Sequence, residues 1–245
     1  MALREEFANS GAWLFRWRSY LPLVMLPLFV YGLSRFTEKT PDDSLGQRWG
    51  AFCVLVSFSG LALRAAVVGR TPPRTSGRNT LEQVADSLNT TGMYSIVRHP
   101  LYVGNFLSWL GVAMFTQDVL VVLVSVLAFA LYYERIMFAE EKFLRASFRT
   151  AFDEWADRTP AFVPAPGRWR PSAIPFSWRL VLEREYSGMF AIVATFTAFE
   201  AIRTWFQKGH VDLGLPWIVF FAAGAGCYVV LRSGKKKARR SRFAV

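Results

Sequence analysis

Arg98, His99, Glu140 and Glu141 are the residues of this chain best suited to chemistry, and each stands where an apolar run meets a polar stretch. Residues 91–105 read TGMYSIVRHPLYVGN. An Arg-His pair flanked by Tyr94 and Tyr102 at such a border is more than the anonymous basic or aromatic anchor of a membrane helix. Pro100 has a preset φ and no N–H, suits the first turn of a helix, and pushes His99 towards an extended conformation. The spacing therefore predicts the Arg98 and His99 side chains at a helix mouth, where unpaired backbone N–H groups favour an anionic ligand group. Glu140 and Glu141 add paired carboxylates near the start of 138–157. There Phe138, Leu144, Phe148, Phe152 and Trp155 recur at three- and four-residue spacing with charges between them, an amphipathic helix.

The elements that must hold these side chains are membrane helices. Hydrophobic residues make up 53% of the 245, and mean hydropathy is +0.23, which suits a polytopic membrane protein better than a soluble domain. The net charge of +11 flanks the apolar segments instead of forming one stripe, so it speaks for orientation and anionic lipid headgroups and against nucleic acid. Cys53 and Cys227 fall inside apolar runs and read as small core residues, without a disulfide framework or a metal set. No small-residue cleavage site follows a short apolar run at the N-terminus, so no removable signal peptide is expected.

Six apolar runs follow in order. Residues 20–33 are short and carry Pro22 and Pro27, a kinked or tilted span. Residues 50–68 are interrupted only by Arg64, read as snorkelling near the end. Residues 101–115 and 119–137 are separated only by Thr116, Gln117 and Asp118, which predicts an antiparallel hairpin. Residues 186–202 and 215–231 complete the set, joined by a polar loop in which His210 reads as a bystander. Between the fourth and fifth runs, 138–157 is expected to continue the hairpin beyond the bilayer as one amphipathic helix, ended by the five prolines of 159–175. Residues 69–77 read as a loop, 81–91 as a short interfacial helix or extended segment, and 232–242 as a polybasic lipid anchor. Lys and Arg counts place both termini in the cytoplasm, in a bacterial inner membrane or endoplasmic reticulum. Residues 91–105 and 138–164 then share the cytoplasmic face and can form a single site. The expected fold is an all-α polytopic membrane protein of about six transmembrane helices with a cytoplasmic-face cofactor pocket. Residues 1–80 would form the N-terminal helices and basic loop, 81–166 the core, and 167–245 the Pro-rich bridge, two further helices and tail.

One imidazole, a basic cluster, paired carboxylates and several rings occur without GxSxG, HExxH, a phosphate-binding lysine loop or a metal-binding acidic pair. Such a set suits a cofactor zwitterionic at one end and flat at the other. S-adenosylmethionine fits, with its sulfonium drawn to aromatic faces and carboxylates and its carboxylate to helix N–H groups and Arg. The run Gly92-x-Tyr94-x-x-x-Arg98-His99-Pro100-x-Tyr102-x-Gly104, with Glu140-Glu141-x-x-Leu144, Phe148, Phe152, Trp155 and Val163-Pro164 after the hairpin, adds to this. It resembles the isoprenylcysteine carboxyl methyltransferase and phospholipid methyltransferase superfamily, whose motifs read roughly GxYxxxRHPxYxG and EExxLxxxFGxxYxxY. The likeness covers residues 91–164, under a third of the chain. Arg149 stands where the family carries Gly, and Phe152 and Trp155 stand where it carries tyrosines, so two hydroxyls are missing while the aromatic character is kept.

The resemblance implies a membrane methyltransferase that takes S-adenosylmethionine from the cytoplasm and a lipid or lipidated acceptor from the bilayer. It assigns Tyr94, Val97, His99, Pro100, Leu101, Tyr102, Gly104, Asn105, Glu140 and Glu141 to the cofactor, with Gly104 allowing its close approach. Arg98 and Glu141 are the candidates for catalytic work on the acceptor, and no metal is expected. A carboxylate or phosphate acceptor needs only a cation to orient it, whereas an amine needs a proton acceptor such as Glu141. All three stay open. Two rivals are a sterol-reductase-like membrane reductase using NADPH and a non-catalytic scaffold or transporter. The second would put charged residues in mid-span, where few occur.

Overall fold

The protein is described here from a computed structural model covering residues 3–18, 20–35, 43–71 and 85–242. Among these residues the fold is all-α, and the one β-type contact is an isolated bridge between Gly92 and Arg170. Helices α1 (Leu3–Trp17), α2 (Leu26–Ser34), α3 (Asp43–Val68) and α4 (Pro100–Phe115) are followed by α5 (Val119–Phe148), α6 (Thr150–Arg158), α7 (Trp178–Lys208) and α8 (Leu215–Arg242). Four stretches are long and apolar enough to cross a bilayer: Gly46–Val68, Val119–Phe148, Trp178–Lys208 and Leu215–Lys235. Leu23–Ser34 and Pro100–Phe115 are shorter apolar helices beside them. A polytopic membrane protein is what this architecture makes. The prolines of the first apolar run have the expected effect: a 3-10 turn over Leu21–Met25 precedes α2, since Pro22 and Pro27 cannot donate to a continuous helical ladder.

Small residues bring α3 and α4 together. A Cβ on Gly104 would lie 2.6 Å from Arg64 Cγ and 2.8 Å from the Gly60 carbonyl, so only glycine permits this approach. Further along, Ser57 Oγ donates to the Ser108 carbonyl (2.8 Å) and Ser108 Oγ to the Ser57 carbonyl (3.2 Å). Between helices surrounded by lipid tails, such close backbone packing and hydroxyl bonding replace the hydrophobic drive available in water. The α4–α5 hairpin turns through Gln117 in the left-handed region (φ 56°), and Asp118 caps α5 by accepting from the Leu120 and Val121 amides at 2.9 and 3.2 Å. The core at this end joins Phe29 and Leu33 of α2, Cys53 of α3, Phe115 of α4, Val121 of α5, and Phe196 and Phe199 of α7.

Three expectations change. Residues 138–157 do not form one helix: α5 ends at Phe148, and α6 restarts at Thr150 after Arg149 adopts φ 47°, ψ −121°. That conformation suits glycine, so the Arg149 departure from the family pattern falls at the break. Arg64 does not snorkel, because a carboxylate on α7 meets it inside the protein. Cys53 is fully buried, but Cys227 is exposed on α8 and is not a core residue. The first eighteen residues also supply more than the sequence indicated: α1 lays Phe15 against Tyr102, Tyr133 and Ile136. Residues 85–91 are irregular, and residues 72–84, which hold most of the loop expected over 69–77, lie outside the described residues.

Candidate functional site

The two motif segments meet. Arg98 Nε donates to Glu141 Oε1 at 2.8 Å, and His99 Nε2 lies 3.0 Å from the same oxygen. His99 Nδ1 faces Glu140 Oε2 at 3.4 Å, and the Tyr102 hydroxyl donates to that oxygen at 2.9 Å. Local sequence makes this possible. Pro100 opens α4 and leaves His99 at φ −119°, ψ 60°, so the ring lies back over the first turn and stacks on Tyr102 at 5.5 Å between centroids. Glu140 and Glu141 leave α5 about two turns before its end. Each uses one carboxylate oxygen on protein, and no second-oxygen partner occurs among the described residues. Their side chains are 32% and 23% exposed, whereas the His99 side chain is 4% exposed.

With a carboxylate facing each ring nitrogen, both nitrogens are placed to donate, which is the imidazolium arrangement. Burial pulls the His99 pKa down, but the hydrogen bonds and charges of Glu140 and Glu141 outweigh it and hold it above the ordinary histidine value. Burial, followed by the Glu140 charge, pushes the Tyr94 phenol up, so it stays protonated.

The Pro-rich bridge backs this cluster. The Arg98 amide donates to the Pro160 carbonyl (2.9 Å), the His99 amide to Ala161 (3.2 Å) and the Ala165 amide to Ile96 (2.9 Å). Proline lacks a donor but keeps its carbonyl, so such a segment can still accept. Gly92, at φ 60°, ψ −132°, donates to the Arg170 carbonyl at 2.9 Å. Arg98 Nη1 holds the Ala156 and Thr159 carbonyls at 2.8 and 2.7 Å, closing the end of α6. Arg98 is thus a clasp between α5, α6 and the motif.

The other sequence candidates divide cleanly. Tyr94 sits in a 3-10 turn whose carbonyl accepts from Trp155 Nε1 at 2.9 Å. Val97 and Pro100 are buried in packing, with Val97 beside Ile96 and Val103. Leu101 is half-buried in the first turn of α4. Gly104 admits the close approach of α3. Asn105 bridges: its amide donates to the Tyr133 hydroxyl (3.0 Å), and its carbonyl oxygen accepts from Arg64 Nη1 (2.7 Å). Phe152 and Trp155 are buried, which is the packing role their aromatic character suggested.

Sequence reasoning missed Arg64, Glu185 and Tyr133. Arg64 meets Glu185 fork to fork, with both contacts at 2.9 Å. The signal was present: one cation inside an apolar run and one anion at the head of another, at matching depth. Tyr133 packs on Tyr102 at 4.8 Å and also lines an apolar cavity of about 240 Å³ with Phe106, Trp109, Phe129 and Met25. Among the described residues, no group of three or more His, Cys, Asp or Glu side chains is placed to hold a metal ion.

A carboxylate-lined site thus sits at one end of a membrane helical bundle, built from an Arg-His-Pro turn and a Glu-Glu helix. The phospholipid methyltransferase family model matches residues 74–151. The cobalt-zinc-cadmium resistance protein CzcN of Cupriavidus metallidurans is 34% identical over 163 residues, covering 62% of this chain and 73% of that protein. The nickel-cobalt-cadmium resistance protein NccN of Alcaligenes xylosoxydans is 33% identical over 192 residues, covering 78% and 76%. Protein-S-isoprenylcysteine O-methyltransferase B of Arabidopsis thaliana is 40% identical over 82 residues, 31% of this chain and 39% of the plant protein. No solved structure matches the chain. The chain belongs to the isoprenylcysteine carboxyl methyltransferase and phospholipid methyltransferase superfamily of integral membrane proteins.

Proposed function

We propose that this protein transfers a methyl group from S-adenosylmethionine to a carboxylate, amine or phosphate of a lipid or lipidated acceptor. The observation that carries the reading is the pair of partly exposed carboxylates on His99, each with one oxygen lacking a protein partner among the described residues. That set fits the cationic parts of the cofactor. The spare oxygens of Glu140 and Glu141 would accept from its ammonium group and face its sulfonium charge. The stacked rings of His99 and Tyr102 offer a flat aromatic surface beside them. When bound, the cofactor supplies an already activated methyl group.

The protein's part is then to position the groups and exclude water. His99, held as an imidazolium, fixes both carboxylates; Arg98 fixes Glu141 and closes α6 over the motif. Glu141 is the proton acceptor if the methyl acceptor is an amine. The apolar cavity sharing Tyr133 with the site suits the hydrocarbon part of the acceptor. The name of the plant relative, an O-methyltransferase for protein S-isoprenylcysteine, supports an acceptor with a lipid chain. The basic residues near the site, Arg149, Arg158, Arg168 and Arg170 among them, with Asp118 and Asp212 at the other end, support a cytoplasmic orientation of the site.

The test is to incubate membranes with and without the protein with methyl-labelled S-adenosylmethionine and analyse the lipids by mass spectrometry. A labelled lipid or lipidated species that appears with the wild type and disappears with His99→Ala is expected. The absence of label from every such species would refute the assignment.

A further inference from the structure

The Pro-rich bridge builds a second concave site that the methyl-transfer reading does not use. Behind the Arg98 clasp, a polar cavity of about 490 Å³ is lined by Ser95, Trp155, Arg158, Arg168, Trp169 and Arg170, among other residues. The backbone of this wall is fixed. The Gly92 amide donates to the Arg170 carbonyl, the Arg170 amide donates to Ser95 Oγ at 2.9 Å, and Arg168 reaches the Arg158 carbonyl. Trp155 is anchored through its indole N–H on the Tyr94 carbonyl, so it presents a ring to the cavity.

Three arginines thus line one pocket, and no carboxylate pairs with any of them among the described residues. Elsewhere on the same face the arginines have acids: Arg145 has Asp153, and Arg179 has Glu183. Gathering like charges in a concavity is unfavourable unless an anion completes it. Guanidinium forks match phosphate oxygens bidentately, and an indole ring suits the polar remainder of a headgroup or a base. The volume falls within the range of small-molecule sites, and the arginine-rich lining suits a polar ligand better than a hydrocarbon chain.

We propose that Arg158, Arg168 and Arg170 form a binding site for the phosphate group of a phosphate monoester, at the face of the protein that carries the methyltransferase motif. The site shares Thr159 with the Arg98 clasp, because Thr159 lines the pocket while its carbonyl is held by Arg98. The proposal rests on the arginine geometry and does not require methyl transfer.

Full-length protein in detergent is titrated calorimetrically at low salt, without methyl donor, with dihexanoyl phosphatidic acid and separately with inorganic phosphate. Saturable binding is expected, weakened about tenfold by Arg168→Gln or by Arg170→Gln, with Arg170→Lys retaining more affinity than Arg170→Gln. All three side chains are exposed, so these substitutions leave the core intact. Tighter binding of the lipid than of free phosphate assigns the site to a lipid headgroup, and equal binding assigns it to a soluble phosphate compound. Either result upholds the proposal. No saturable binding of either probe, or unchanged affinity in the triple Gln variant, overturns it. S-adenosylhomocysteine binding measured on the same samples distinguishes failure of this site from failure of the methyltransferase reading.

Discussion

Two clusters of charge lie inside this protein within a few helical turns of each other, and they are built on opposite principles. Arg64 and Glu185 face each other fork to fork, so both carboxylate oxygens are taken, with Asn105 accepting from the remaining guanidinium arm. Glu140 and Glu141 surround His99 with one oxygen each and keep the other towards a partly open face. The first arrangement is closed and ties α3 to α7. The second is open and positioned for a cation. Charge within a membrane domain is expensive in both cases, but only in the second does the protein leave hydrogen-bonding capacity unused.

The sharpest way to break this contrast is through activity. Glu141→Ala is expected to lower methyl transfer from labelled donor by about a hundredfold or more, whereas Glu185→Ala, per folded molecule, lowers it far less. Stability should respond in the reverse order. Glu185→Ala leaves the half-buried Arg64 without its carboxylate and costs about 2 kcal/mol in detergent unfolding, whereas the double change Arg64→Met/Glu185→Leu recovers most of that loss. A smaller effect sharpens the role of the helix break beside the open cluster. Arg149→Gly should raise stability by about 1 kcal/mol, because glycine occupies φ 47°, ψ −121° without strain. The smallest effect is on pH dependence. The folded pKa of His99 lies above its ordinary value, so its contribution to stability is complete below that ordinary value. It fades as pH rises through the folded value. The apparent melting temperature should fall over that window in the wild type and stay level in His99→Gln.

Much of this architecture can be read from residue types. The apolar runs, the three-residue hairpin and the Arg98-His99-Pro100 turn each follow from hydropathy and proline geometry, and the pairing of Arg98 with Glu141 follows from placing both at one end of that hairpin. Contacts between distant segments were harder to read. Arg64 looked like a snorkelling side chain because its partner stands 121 residues later. Gly104 looked like room for a ligand because glycine marks close approach without saying what approaches; here it is Gly60 and Arg64 of α3. Arg149 hid a helix break because its neighbours keep a helical pattern on both sides. The prolines of 159–175 marked a linker, yet their carbonyls and the intervening residues form the wall of the site.

Methyl transfer at this site requires the spare oxygens of the Glu140–Glu141 pair to hold the methyl donor. Saturable binding of S-adenosylhomocysteine to purified, detergent-solubilised protein measures this directly when wild type, Glu141→Gln and Glu185→Gln are compared. Saturable binding is expected in the wild type and in folded Glu185→Gln, and its loss in Glu141→Gln. Equal binding by wild type and Glu141→Gln, or none by a folded wild type, would contradict this.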